Sequence, residues 1–112
     1  MNNMPTVFVT QETALDYTDA EQYGALEFLT SDDLHNTKNS LHNEQLMADL
    51  RFKLRRVNQD EDYVLVSGSA YINSAVFMIL GALGVKRIKI LRWDNRSRHY
   101  VPLHLELGHE ST

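Results

Sequence analysis

The chain has no cysteine, two prolines, one tryptophan and five glycines in 112 residues. Without cysteine there is no disulfide, no thiolate metal site and no thiol nucleophile. Glycine and proline are too scarce for a collagen-like or low-complexity chain. No run approaches the ~20 apolar residues that a membrane-spanning helix needs. The opening Met1-Asn2-Asn3-Met4-Pro5 has neither a basic segment nor a long apolar one, so no secretory signal is expected. Histidine spacing for a metal is also missing. His35, His42, His99, His104 and His109 form no His-x-His or His-Glu-x-x-His pair, so no metal and no cofactor are expected. What is present is 43% hydrophobic and 23% charged, the composition of one small folded domain.

Charge is unevenly placed. Residues 1–50 hold one base, Lys38, against nine acids, whereas residues 51–112 hold ten bases against six acids. Such asymmetry marks either a basic binding face or a solvated surface with internal ion pairs. The net charge of −4 argues against general duplex binding, which rests on neutralising many phosphates.

Two β-rich runs come first, Thr6–Thr10 and Ala25–Thr30. In the second, Leu26 and Phe28 share one face and Glu27 and Leu29 the other. The polar stretch between them has room for one helical turn. Residues 31–43 are rich in Asn, Ser and Asp and are expected to be a flexible loop. Leu46, Met47, Leu50, Leu54 and Val57 recur at helical spacing and predict a helix over 43–57, with Asn43 as its N-cap. The continuously apolar Tyr63–Val66 predicts a strand covered on both faces. Ser67-Gly68-Ser69 then turns into a second helix, Ala70 to about Leu83. Arg87–Trp93 and Tyr100–Leu107 make a hairpin, and Pro102, which cannot donate to a ladder, places the last strand at an edge. The tail 108–112 is expected to fray. The prediction is a single small α/β domain, β-β-α-β-α-β-β, with a mostly parallel sheet and a C-terminal antiparallel hairpin.

Three features could carry function. The turn Ser67, Gly68, Ser69 lies between a buried strand and a helix N-terminus. It is either an anion- or nucleotide-binding turn or simply a helix cap. The basic hairpin holds Lys89, Arg92, Arg96 and Arg98 beside Trp93 and Tyr100. It is either a platform for single-stranded nucleic acid or a hairpin stabilised by a Trp93–Tyr100 pair. The second helix has an apolar inner face, Ile72, Ala75, Val76, Ile79 and Leu83, and a second uncharged stripe of Tyr71, Ser74, Phe77, Met78 and Gly81. Only one other helix is available to cover that stripe. The expected cover is a second copy of the chain in a two-fold homodimer, with the loop 31–43 as the alternative. Serine chemistry has little support, since the Gly-x-Ser-x-Gly elbow is missing, and no catalytic residue is assigned.

The run LRFKLRRVNQDEDYVLVSGSA, followed by a short helix and RIKILRWDNRSRHYVPLHLEL, resembles a group of small uncharacterised tailed-bacteriophage proteins. The matching features are the acidic turn Asn58–Tyr63, the small-residue turn Ser67–Ala70, the pair Trp93-Asp94 and the strand Tyr100–Leu107. The opening TVFVTQETALDYTDAEQYGALEFLT is similar too. At the turn that group usually carries Gly-Asp-Pro where this chain has Ser-Gly-Ser. The resemblance implies a viral accessory protein of the host bacterial cytoplasm, without an assigned reaction. It leads to a non-enzymatic protein that binds a macromolecular partner, of host or phage origin, after self-association.

Overall fold

The computed structural model describes residues 4–38 and 40–108, so the expected frayed tail lies almost wholly outside the described residues. Five strands form one sheet: β1 Thr6–Val9, β2 Ala25–Phe28, β3 Tyr63–Leu65, β4 Arg87–Asp94 and β5 His99–Glu106. Their spatial order is β2-β1-β3-β4-β5, parallel except for the β4–β5 hairpin. Two helices follow the expected places, α1 Leu41–Leu54 and α2 Ala70–Ala82. The predicted element order and sheet type are therefore those observed.

Both helices lie on one face of the sheet. There Leu46, Leu50 and Leu54 of α1 and Ile72, Val76 and Ile79 of α2 bury Phe8, Val64 and Ile88. The other face, with Val7, Val9, Leu65 and Leu91, is covered by the link between β1 and β2. That link contains a 3-10 turn, Thr18–Gln22, which seats Tyr17 and Ala20 on the sheet. β3 is thus covered on both sides, as its unbroken apolar run requires.

The boundaries differ from expectation for local reasons. α1 starts earlier than predicted because Ser40, not Asn43, is the N-cap: its hydroxyl accepts from Asn43 N. The Asn43 amide instead brackets His35, accepting from its N–H and donating to its carbonyl. At the other end α1 stops at Leu54, with Arg55 as its C-cap. Asp62, in the acidic turn Asn58–Tyr63, is buried. It accepts from Asn58 N and, across the fold, from Thr6 N, so it ties the 58–62 turn to β1.

β5 is an edge strand, as Pro102 indicated. The ladder bond from Leu107 N to Lys86 O sets its parity, so even residues turn their N–H groups outward. Tyr100 N and O are taken by Asp19 Oδ2 (2.7 Å) and Tyr23 Oη (2.8 Å), and Pro102 has no N–H to offer. The first half of this edge is closed to further strand pairing.

Candidate functional site

The strand order creates a switch point between β1 and β3. The chain leaving β1 crosses one face of the sheet towards β2, and the chain leaving β3 crosses the other towards β4. Open α/β sheets bind ligands in the crevice that such divergence opens at the strand carboxyl ends. The Ser67-Gly68-Ser69 turn lies there, opposite Thr10 and Gln11.

The crevice is filled by the chain itself. Gln11, buried at the end of β1, accepts from Ser69 N at 2.6 Å and donates to Asp32 O at 2.8 Å. Thr10 Oγ1 accepts from Ser67 N and donates to Ser67 O. Ser69 Oγ caps α2 by accepting from Tyr71 N and Ile72 N. Tyr17 Oη lies 2.8 Å from Ser67 Oγ, and Asn73 donates to the carbonyls of Ser67 and Ser69. Gly68 has φ +79°, and a Cβ there would fall 1.9 Å from Gln11 Oε1. The N–H groups of Ser67, Ser69, Tyr71 and Ile72 are therefore engaged internally, and an anion taking the Ser69 N–H would have to displace Gln11. Thr10, Gln11, Tyr17 and Asn73 were not singled out from sequence. The available signal was a pair of polar residues directly after a β-rich run, at the carboxyl end of the first strand.

The structure separates the residues of the basic hairpin. Lys89 and Trp93 share the sheet face opposite the helices. Lys89 Nζ sits 4.3 Å from the centre of the Tyr63 ring and donates to the carbonyls of Asp60 and Glu61. Arg92 projects from the other face, and Arg96 and Arg98 lie at the exposed tip. Tyr100 is 5% exposed and meets Trp93 edge-on at 5.1 Å, the cross-strand pair that their spacing permitted. Burial pushes the Tyr100 phenol above its ordinary range. Beside it, Asp19 accepts from His99 Nδ1 (2.7 Å) and Tyr100 N. The His99 bond, followed by the Tyr100 bond, holds the Asp19 carboxyl below the usual carboxylate range.

Among the described residues the outer face of α2 is open, and those of the loop 31–43 leave it uncovered. Leu34 packs against the core, while Leu41 is 66% exposed. Tyr71 borders a shallow cleft with His35 and Asn43. Ser74, Met78 and Gly81 form an exposed ridge, with Met78 65% exposed. Phe77 departs from the rest of the stripe: it is half-buried and packs against the helix-side core. An apolar groove runs along each side of the ridge. One, of about 390 Å³, lies between α2 and β5 and contains Phe77, Leu80, Gly81, Val85, Leu105 and Leu107. The other, of about 510 Å³, lies between α2 and α1.

No helix among the described residues is long and apolar enough to cross a membrane. Neither the curated proteins nor the solved structures provide a match. The family model for Phage Pam3 gp32-like proteins matches residues 5–107, almost the whole fold from β1 to the end of β5. The chain therefore belongs to the Phage Pam3 gp32-like protein family.

Proposed function

We propose that this phage protein is a non-enzymatic accessory protein of the host bacterial cytoplasm that works by protein–protein association, first with a second copy of itself across the α2–β5 groove. The observation that carries this reading is the apolar floor around Gly81, left open by the described residues. Leu105 is 46% exposed and Leu107 64%, on the sheet face that elsewhere lies under helices. Contiguous apolar surface of this kind marks an association site. A two-fold axis places the same patch on both copies. The groove suits that symmetry in charge as well: of its charged lining residues Arg87 pairs with Asp60, which leaves Lys86 and Glu106. Lys86 of one copy can meet Glu106 of the other.

Gly81 provides the test. A Cβ there meets nothing within 4 Å in the single chain. Gly81→Ala should stabilise the helix by about 0.5–1 kcal/mol. Gly81→Glu should give a folded monomer by light scattering, because the carboxylate would lie in the closed interface. A Gly81→Glu chain with the same mass as the wild type would refute the assignment. Phe77 is a poorer probe, since a charge there also disrupts the core.

A further inference from the structure

The α1–α2 groove differs from its neighbour in its rim. Ala48 and Ala82 keep its floor low, while Phe52 and Met78, 63% and 65% exposed, stand as walls. Met47 adds a second flexible thioether. Arg51 of α1 and Arg55, its C-cap one turn on, edge the groove. Among the described residues neither has a carboxylate partner, and the Arg55 guanidinium lies 4.8 Å from the centre of the Phe52 ring. The neighbouring cations are neutralised: Lys53 of α1 pairs with Asp49, and Arg56, just past the helix end, with Glu27. The cations of this segment left without a carboxylate thus lie beside its exposed apolar surface. Glu44 stands further along, near the start of α1.

We propose that this groove docks an acidic amphipathic helix from another protein. The apolar floor fits a helix laid lengthwise, with anchors at i, i+3 or i+4, and i+7. Two arginines at one-turn spacing fit carboxylates at one-turn spacing on the margin of that helix. Met78, exposed, and Met47, half-buried, suit the site to re-pack around different apolar anchors. A nucleic acid would use the arginines and Phe52 but would leave the apolar floor unfilled, so the helix is the better match. The surface is distinct from the α2–β5 groove, and its occupancy does not depend on self-association.

The probe is a fluorescein-labelled amphipathic peptide of about 16 residues, long enough to hold a helix. It carries leucines on one face and glutamates along its margin, and a twin carries lysines in place of the glutamates. The full chain should bind the glutamate peptide and reject the twin by anisotropy. Its Met47 and Met78 methyl resonances should shift while that of Met4 stays in place. Reversing the rim with Arg51→Glu and Arg55→Glu, both at exposed sites, should weaken the glutamate peptide about tenfold and admit the lysine twin. The Gly81→Glu chain should bind like the wild type. Equal binding of the two peptides, or unmoved Met47 and Met78 methyls at millimolar peptide, would overturn the proposal. A single-stranded oligonucleotide that shifts those methyls at lower concentration than the peptide would overturn it in favour of nucleic acid.

Discussion

Replacing Gly68 by alanine should destabilise the fold by about 3–4 kcal/mol, and roughly half of that should depend on Gln11. Two effects add at this position. The backbone φ of +79° costs an alanine about 1–2 kcal/mol, because its Cβ crowds the following carbonyl. The Cβ would also fall 1.9 Å from Gln11 Oε1 and expel that side chain. Expulsion breaks the bonds to Ser69 N and Asp32 O, a loss of about 2 kcal/mol if both groups are left without partners. Gln11→Ala alone should cost the same ~2 kcal/mol. In the double variant Gln11 is already gone, so alanine at 68 adds only the backbone cost. The total is then about 3–4 kcal/mol rather than the 5–6 that additivity gives, a coupling of about 2 kcal/mol. Urea unfolding of the four chains, read as midpoint shifts at constant slope, measures this directly. Additive costs would refute the reasoning, because Gln11 would then not be what fills the space above Gly68. The same series bears on the anion reading of the turn. Phosphate should raise the midpoint of Gln11→Ala, whose Ser69 N–H is free, more than that of the wild type.

Other consequences follow from single contacts. Asp19 has a folded pKa below its unfolded value, so its stabilising contribution is present above about pH 4 and is lost as pH falls through the lowered folded pKa. Asp19→Asn should therefore flatten the acid limb of a stability-versus-pH curve; an unchanged limb would show that the His99 and Tyr100 bonds do not matter in solution. Tyr100 has its folded pKa raised by burial, so stability should decline as pH climbs from the unfolded value, about 10, to the folded one. Burial raises the Tyr23 phenol as well, so phenolate absorbance should show late titration from both, and Tyr100→Phe should remove part of it. Leu50, with no exposed surface on α1, should cost about 3–5 kcal/mol on truncation to alanine, measured by thermal or urea unfolding.

The sheet and helices were legible because their signals are local. Leu46, Leu50 and Leu54 repeat at helical spacing, and Tyr63–Leu65 is apolar without a break. The start of α1 was obscured because its first residue, Leu41, is apolar yet exposed, and because Ser40 and Asn43 both make good caps. The 3-10 turn was hidden by brevity. Tyr17, Ala20 and Tyr23 have the three-residue spacing of such a turn, but three residues in a polar stretch do not make a stripe. The exposed ridge of α2 followed from arithmetic, since one remaining helix could not cover a helix apolar all round. Phe77 was harder to place, because inward and outward positions differ by a fraction of a turn. The crevice at Gly68 required tertiary knowledge. Nothing in the sequence brings Gln11, Tyr17 and Asn73 to one turn until the β1–β3 pairing is known.

We propose above that a second copy of the chain covers the open α2–β5 face. Sedimentation equilibrium of the wild-type protein across the micromolar range tests it most directly. A dimer gives a mass of twice the 12.9 kDa chain, falling towards the single-chain value on dilution. A mass of one chain that holds up to the highest concentration reached would contradict it.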